Sequence, residues 1–158
     1  DRIVTGLRAA FEDDKTVGVI LRINSPGGST LDVLAIIDAM NFITSSVHTT
    51  CIGQCVSMGA LLLSQSEKGH HTALPNSRIL IHQPSGGIGC QETDIQIQEK
   101  EMAHLKAVLN KMLTEATGKK LSKIEKDTER DYIMCAEEAL KYGIIDSVIG
   151  KRKSHAGA

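Results

Sequence analysis

The stretch VHTTCIGQCVSMG, residues 47–59, decides how this chain folds. Its first half is an uncharged run rich in β-branched residues that ends at Gly53, and the apolar run that begins at Ala60 is typical of a helix. The pattern predicts a strand, a tight turn and a helix, with Ser57 at the turn. A hydroxyl there lies near the free N–H groups at the positive end of the helix. Ser57 is therefore either a helix N-cap, the more frequent role of such a serine, or a nucleophile with a built-in anion stabiliser.

The same rhythm of strand, loop and helix recurs on both sides of this stretch. Residues 3–11 have helical spacing, residues 17–23 are typical of a strand covered on both faces, and a second helix begins at Thr30. Downstream, the sequence predicts a loop over 70–77, a strand over 78–82, a helix over 91–117, a helix over 121–131 with a capping box of Ser122 and Glu125, a helix over 136–142, and a strand over 144–149. This order indicates an α/β fold with right-handed crossovers, in a single domain over residues 1–158 that ends in a solvated tail, 151–158.

The helix predicted over residues 91–117 is unusually long for a domain of this size. About 25 helical residues span nearly 40 Å at 1.5 Å per residue. We expect its distal part to pack on another subunit; the alternative is a helix that lies along the domain surface.

Composition excludes several classes of function. Eighteen Lys and Arg residues nearly balance 19 Asp and Glu residues, so the chain does not have the charge of a nucleic-acid or acidic-membrane binder. Aromatic residues make up only 3%, which argues against base-stacking surfaces and requires an aliphatic core. The four cysteines have no CxxC spacing, and no apolar run is long enough to span a bilayer. We expect reduced thiols, no metal and a cytoplasmic location, with the mitochondrial matrix or plastid stroma as further possibilities.

Acyl transfer by a serine requires a base, an acid that orients the base, and donors for the oxyanion. His82 ends an aliphatic strand and precedes a Gly-rich segment, whereas the pair His70 and His71 is typical of solvated surface. Asp131 is a candidate acid, but it lies in the charged run EKDTERD, within which spacing alone cannot choose. The turn SPGGS at residues 25–29 offers the N–H group of Gly28, or is an ordinary turn; it does not have the GK[ST] ending of a nucleotide-binding loop.

From residue 24 to residue 149 the sequence closely resembles the ClpP family, the proteolytic subunit of the ATP-dependent Clp protease. The matching segments are INSPGGS, DAMNFI, CIGQCVSMGALLL, KGHHTALPNSRILIHQP, ETDIQIQEKEM, EKDTERD and EEALKYGIIDSVI. The resemblance implies a crotonase-like fold of repeated β-β-α units with a protruding handle helix, in a handle region at about 90–130. It places the nucleophile on Ser57, the general base on His82, the acid on Asp131, and the oxyanion donors on Gly28 and Met58.

The resemblance also implies partners and an assembly. An extended substrate would lie between two strands, at Gly28, Ser29, Thr30 and Leu31 on one side and Ser85, Gly86, Gly87 and Ile88 on the other. Two heptameric rings would stack as a tetradecamer, with Gln91, Asp94 and Arg130 at the contact between rings. Unfolded polypeptides would be delivered by an AAA+ unfoldase, which uses the ATP, so the chain itself would need no cofactor.

Three departures from the family keep alternatives open. Residues 1–22 look more like signal peptide peptidase A, Ile20 and Arg22 stand where ClpP chains commonly carry the aromatics that dock the ATPase, and Cys55 stands where the family usually has alanine. The leading hypothesis is a serine endopeptidase inside an oligomeric chamber. The alternatives are a catalytically impaired ring subunit, a serine–lysine peptidase like signal peptide peptidase A, and an acyl-CoA enzyme of the crotonase type, which would not need this triad.

Overall fold

Six helices and six strands form the part of the chain that the computed structural model describes, residues 2–13, 15–84 and 92–150, with the side chains of 92–94 excepted. In chain order these are α1 (Arg2–Glu12), β1 (Gly18–Ser25), α2 (Thr30–Phe42), β2 (Ser46–Val56), α3 (Met58–Leu63), β3 (His71–Ala73), β4 (Arg78–Ile81), α4 (Glu92–Thr117), α5 (Leu121–Thr128), β5 (Tyr132–Cys135), α6 (Ala136–Tyr142) and β6 (Ser147–Val148). The sheet pairings are parallel except that of β4 with β5. The predicted α/β class is confirmed, with a mixed sheet.

Strand β2 is the centre of the sheet and leads directly to Ser57. The strand order is β5-β4-β2-β3-β6, and β1 pairs with β2. Residues 49–51 of β2 pair with β3, whereas residues 54–56 pair with β4, so β2 changes neighbours partway along its length. The change coincides with a bulge at Gly53, which has a φ of +85° that glycine adopts readily. A Cβ at Gly53 would lie 3.1 Å from the Asn24 side-chain oxygen.

The core is aliphatic, as the scarcity of aromatic residues predicted. Its largest fully buried side chains are mostly branched aliphatics, among them Ile37, Leu63, Ile79, Ile81, Ile124 and Ile144. Helix α3 is buried along its whole length, which explains why the ALLL run has no polar face. Burial of these side chains fixes the sheet and α3 as one rigid support for Ser57.

Helix α4 has two different halves. Its C-terminal half buries Leu109 and Leu113 against the core, whereas Ile95 is 39% exposed and Ile97 is 67% exposed in the N-terminal half. Its 26 residues extend about 39 Å at 1.5 Å per residue. The N-terminal half therefore leaves apolar side chains without cover from the described part of the chain.

The described strands differ from the predicted ones at several points. β3 falls in the segment predicted to be a loop, and β5 was not recognised, because strands of three or four residues are too short to show a period. The last strand covers only Ser147–Val148. β1 was predicted to be covered on both faces, but Ile20 is 62% exposed, so one face of β1 is open in the single chain. β1 is also an edge strand that pairs only with β2 among the described strands.

The predicted helix over residues 121–131 was too long and its cap was wrong. Helix α5 ends at Thr128, so Asp131 lies in the turn before β5. The N-cap is Lys120, and Ser122 lies inside the helix, where it cannot form a capping box with Glu125.

No helix among the described residues is long and apolar enough to cross a membrane.

Candidate active site

Ser57 stands at the sharp turn between β2 and α3. Its φ of 57° and ψ of −120° make it the single non-glycine residue with positive φ among the described residues. The Ser57 N–H donates to the Leu80 carbonyl on β4 at 2.8 Å, which holds the turn on the sheet. Ser57 occupies the N-cap position of α3, but its side chain makes no capping hydrogen bond. The Ser57 backbone is therefore strained, and the hydroxyl does not have the capping role that commonly explains such a serine.

Gly27 makes room for this turn, and the sequence analysis did not single it out. A Cβ at Gly27 would lie 2.9 Å from the Ser57 Cβ and 3.1 Å from the Val56 carbonyl oxygen, and its φ is +103°. A side chain at this position would therefore push against both the serine and the strand that carries it. The signal in the sequence was the glycine pair, of which only Gly28 was assigned a role.

A small pocket opens beside Ser57, with a volume of about 80 Å³. It brings together four of the residues that the sequence analysis predicted to act in catalysis: Ser57, Met58, His82 and Gly28. Thr30, Leu61, Ile81, Pro84, Leu109 and Leu113 complete its lining. The leucines are contributed by α3 and the packed half of α4, so the floor of the pocket is apolar and its rim carries the polar groups.

His82 and Asp131 form a pair at this pocket. The His82 Nδ1 atom lies 3.1 Å from the Asp131 Oδ1 atom, and the side chains are 25% and 65% exposed. Within the described residues, no hydrogen bond joins the Ser57 hydroxyl to His82, and the His82 Nε2 atom has no partner. The pair thus leaves Nε2 free on the side of the ring opposite the carboxylate, as a proton acceptor must.

Gln83 holds the segment that carries His82, a role that the sequence analysis missed. Its N–H donates to the Thr128 carbonyl at 2.7 Å, and its side-chain amide donates to the Glu129 carbonyl at 3.2 Å. Its side-chain oxygen accepts from Lys106 Nζ at 2.9 Å. Gln83 therefore ties the end of β4 to α4 and to the turn that contains Asp131, which fixes the distance between base and acid.

The position of Asp131 also depends on the buried end of α5. Asp127, 8% exposed, accepts from the Tyr142 hydroxyl at 2.7 Å and from Lys123 Nζ at 2.6 Å. Burial raises the pKa of the Asp127 carboxyl, but the hydrogen bonds from Lys123 and Tyr142 outweigh it, so the pKa is lowered. Burial and the carboxylate together raise the pKa of Tyr142. Asp127 therefore remains ionised and anchors the C-terminal end of α5, four residues before Asp131.

The predicted substrate-binding and ring-contact residues are only partly within the described chain. Ser85, Gly86, Gly87, Ile88 and Gln91 lie outside the described residues, as does the side chain of Asp94. On the described side, the Ser29 hydroxyl caps α2 by accepting from the Asp32 N–H at 3.3 Å, and Leu31 is 65% exposed. Arg130 is exposed beside Asp131.

A second histidine–aspartate pair lies away from the pocket, and it corrects the expectation that His71 is solvated. His71 is 6% exposed, and its Nδ1 atom lies 2.6 Å from the Asp146 Oδ2 atom. Its Nε2 atom lies 2.8 Å from the Ser66 carbonyl oxygen. The same Asp146 oxygen accepts from the N–H groups of Gly69 and His71 at 2.8 Å and 3.0 Å. This pair joins β3 to the segment before β6 and has no free nitrogen.

The described residues contain no group of three or more His, Cys, Asp or Glu side chains that could hold a metal ion. The pocket at Ser57 offers a hydroxyl and an imidazole, with the start of α3 beside them, and the imidazole is paired with the Asp131 carboxylate. This set of groups can carry out nucleophilic acyl transfer.

A comparison with family models identifies the family of this chain. The Clp protease family model matches residues 1–152. The match includes residues 1–22, which the sequence analysis compared with signal peptide peptidase A. Since the model covers nearly the whole chain, from before the first helix to beyond the last strand, the chain belongs to the Clp protease family, a family of serine peptidases.

Proposed function

We propose that this chain is a serine endopeptidase that hydrolyses peptide bonds of unfolded proteins and short peptides inside an oligomeric chamber. The observation that carries the proposal is the arrangement at the pocket. Ser57 lies at a strained turn in the same pocket as His82. The His82 Nδ1 atom lies 3.1 Å from Asp131, which leaves Nε2 to take the proton of Ser57. The reaction uses side chains and backbone alone, and requires no cofactor of this chain.

In the first step, the Ser57 oxygen attacks the carbonyl carbon of the peptide bond while His82 Nε2 takes the hydroxyl proton. Asp131 accepts a hydrogen bond from Nδ1–H, which fixes the tautomer that has its lone pair on Nε2. The His82 and Ser57 side chains must approach to make a hydrogen bond, and such bonds commonly tighten when substrate binds.

The negative oxygen of the tetrahedral intermediate would be held by the N–H groups of Gly28 and Met58. Met58 is the first residue of α3, so its N–H has no partner within the helix, and nothing lies within 4 Å of a Cβ position on Gly28. The protonated His82 then gives its proton to the leaving amine. Water, activated by the same ring, releases the acyl group from Ser57.

Substrate binding by β-strand addition fits the backbone around the pocket. Residues 26–29 carry no regular structure between β1 and α2, so Gly28 and Ser29 offer backbone groups beside the pocket. Thr30 and Leu31 already belong to α2, so the predicted extended stretch from Gly28 to Leu31 is shorter than expected. Pairing through the backbone binds peptides with little regard to sequence, which suits a peptidase of unfolded chains. The opposite side of the cleft, Ser85 to Ile88, is proposed from the resemblance alone.

Exposed apolar side chains favour self-assembly into rings. Ile97 on α4, Phe42 at the end of α2 and Ile20 on β1 are 67%, 74% and 62% exposed in the single chain. We expect assembly to bury these three side chains, which lie on different elements. We propose that α4 interlocks two heptameric rings, with Gln91, Asp94 and Arg130 at the contact, and light scattering would give the mass of the assembly.

A AAA+ unfoldase is the proposed source of substrates, since an enclosed chamber admits only unfolded chains. Ile20 and Arg22 stand where the family commonly has docking aromatics, and both are exposed on β1. The test is degradation of a stable folded substrate with an unfoldase and ATP, compared with hydrolysis of a short peptide by the chain alone. Equal rates for both substrates without ATP would contradict this part of the proposal.

The proposed activity is tested most directly by Ser57→Ala. Hydrolysis of a short fluorogenic peptide should fall by at least about 10⁴-fold, because the nucleophile is removed. The mass of the assembly should not change, since the Ser57 side chain makes no hydrogen bond within the described chain. A variant that kept full activity would refute the assignment of Ser57.

A catalytically impaired ring subunit is the second candidate, and one observation favours it. The base and nucleophile share no hydrogen bond in the single chain, and Asp131 is 65% exposed. A fluorophosphonate probe separates the two candidates because it reacts only with an activated serine. An adduct on Ser57 in the assembled protein supports the peptidase, and absence of an adduct supports the impaired subunit.

A further inference from the structure

We propose that Cys51 and Cys55 form an intrachain disulfide under peroxide, and that this disulfide reversibly lowers the activity at Ser57. Both thiols are free, and both residues are fully buried at 0% exposure. They lie on β2 on either side of the bulge at Gly53; Cys51 is six residues and Cys55 two residues before Ser57. The effect on activity rests on the proposed peptidase function; the disulfide itself does not.

The bulge brings the two cysteines close enough for a disulfide. Cys51 is the register partner of Ile23 and Cys55 is the partner of Ser25, so four residues of β2 cover the length of two residues of β1. Two residues of a strand span about 6.6 Å, which places the two Cα atoms within the range of about 4.4–6.8 Å that disulfides occupy. Because Ile23 and Ser25 point to one face of β1, their partners face the same side. In an unbulged strand, cysteines four apart would be about 13 Å apart.

The two thiols influence each other's ionisation. The Cys55 thiol donates to the Ile23 carbonyl oxygen at 3.7 Å. The interaction with Cys55 lowers the pKa of the Cys51 thiol against the opposing effect of burial, and Ser77 adds to the lowering. The interaction with Cys51 and burial raise the pKa of Cys55. Cys51 is thus the thiolate that reacts first, and Cys55 is the resolving thiol.

The reaction requires one hydrogen peroxide molecule for each disulfide. The Cys51 thiolate attacks one peroxide oxygen, the O–O bond breaks, and the other oxygen leaves as hydroxide, which takes up a proton to become water; Cys51 becomes a sulfenic acid. The Cys55 sulfur then attacks the Cys51 sulfur, the S–O bond breaks, and a second water leaves. Two thiols are oxidised and one peroxide is reduced. Access is through the bulge, where Gly53 and Gln54 are exposed.

A disulfide here would move the strand that carries the serine. The separation inferred from the register lies at the upper end of the disulfide range, so bonding draws Cys55 toward Cys51. Cys55 is paired with Ile79 on β4, and the next pair on the ladder, Val56 with Leu80, leads to Ser57. A misplacement of about 1 Å can lower a rate about 100-fold, so we expect oxidation to lower peptide hydrolysis by at least about tenfold.

The experiment treats the assembled wild-type protein with hydrogen peroxide, removes the peroxide with catalase, unfolds the protein and labels free thiols with N-ethylmaleimide. Both cysteines fall on one tryptic peptide, residues 23–68, because no Lys or Arg lies between. We expect this peptide to carry no maleimide and to be lighter by two hydrogen atoms than the reduced, unlabelled peptide. Dithiothreitol should restore both thiols and the peptidase activity.

Two variants make the outcome decisive. Cys55→Ala should lose the mass change and the reversible inhibition, whereas Cys135→Ala, which removes a partly exposed thiol, should keep both. A peptide 23–68 that still carries two maleimides, although added glutathione is oxidised, overturns the proposal, as does a disulfide to Cys90 or Cys135. If wild type does not cleave peptide before oxidation, the proposed function fails, and the mass of the peptide still decides the disulfide. A disulfide without loss of activity overturns the effect on Ser57.

Discussion

The two histidine–aspartate pairs of this chain have the same chemical groups and opposite surroundings. His71 is buried, lies 2.6 Å from Asp146, and has its second nitrogen 2.8 Å from a carbonyl oxygen. His82 is partly exposed, lies 3.1 Å from Asp131, and has a second nitrogen without a partner among the described residues. A ring that contacts other groups through both nitrogens stabilises the fold, whereas a ring with a free nitrogen can accept a proton.

The largest difference expected between the two pairs appears when each histidine is replaced by glutamine. His82→Gln should lower peptide hydrolysis by at least about 10³-fold with little change in stability, because the general base is removed from a partly exposed position. His71→Gln should leave the activity of folded protein nearly unchanged. The measurements are initial rates and urea denaturation of both variants.

An equal loss of activity in the folded His71→Gln and His82→Gln variants would contradict the assignment of a structural role to His71 and a catalytic role to His82. Retention of activity by His82→Gln, with loss on replacement of a lysine, would instead favour a serine–lysine dyad. The rates must be compared at equal concentrations of folded assembly, since His71→Gln is expected to unfold more easily.

The next effect is that of Asp131→Asn, which keeps the shape of the side chain and removes its charge. A buried triad aspartate contributes about 10⁴-fold to the rate, but Asp131 is 65% exposed, and water screens and partly replaces it. We therefore expect peptide hydrolysis to fall by about 10- to 100-fold. A loss of about 10⁴-fold in the assembled protein would indicate that assembly buries Asp131, and an unchanged rate would remove Asp131 from the site.

The sequence pattern identified the nucleophile and the base of the site, but it could not identify the acid or the residues whose neighbours are distant in the sequence. Ser57 and His82 stand out because a strand ends at each of them, a local signal. Asp131 does not, since spacing cannot choose among the acids of EKDTERD; the resemblance to ClpP singled it out, and the distance to His82 agrees. His71 looked like surface because burial depends on the strand β6 that pairs with β3, about 75 residues later. Gly27 was missed for a similar reason, since its neighbour Ser57 is 30 residues away.

The effect of Asp146→Asn is expected in stability and not in chemistry. The Asp146 Oδ2 atom accepts from three N–H groups, those of the His71 ring, the His71 backbone and the Gly69 backbone. Loss of the charge-assisted bonds at this partly buried site should lower the free energy of unfolding by about 1–3 kcal/mol. Asp131→Asn is the matched control, because its exposed carboxylate should change the free energy of unfolding by less than about 0.5 kcal/mol. Equal destabilisation by both variants would contradict the assignment of a structural role to one pair only.

The smallest expected effect is a pH dependence of stability that belongs to the buried pair. Burial raises the pKa of the Asp146 carboxyl, but the hydrogen bonds and charge of His71 and the Gly69 N–H outweigh it, so the folded pKa lies below the unfolded value of about 3.9. The stabilising contribution is therefore full above the unfolded pKa and is lost as the pH falls through the folded pKa.

Urea denaturation at pH 7 and at progressively lower pH values near 3 would measure this contribution. The difference in unfolding free energy between wild type and Asp146→Asn should shrink as the pH falls, because protonation removes from wild type the charge that the variant does not have. The difference between wild type and Asp131→Asn should stay near zero throughout. A gap for Asp146→Asn that is constant with pH would mean that shape, and not the carboxylate charge, holds His71 to the segment before β6.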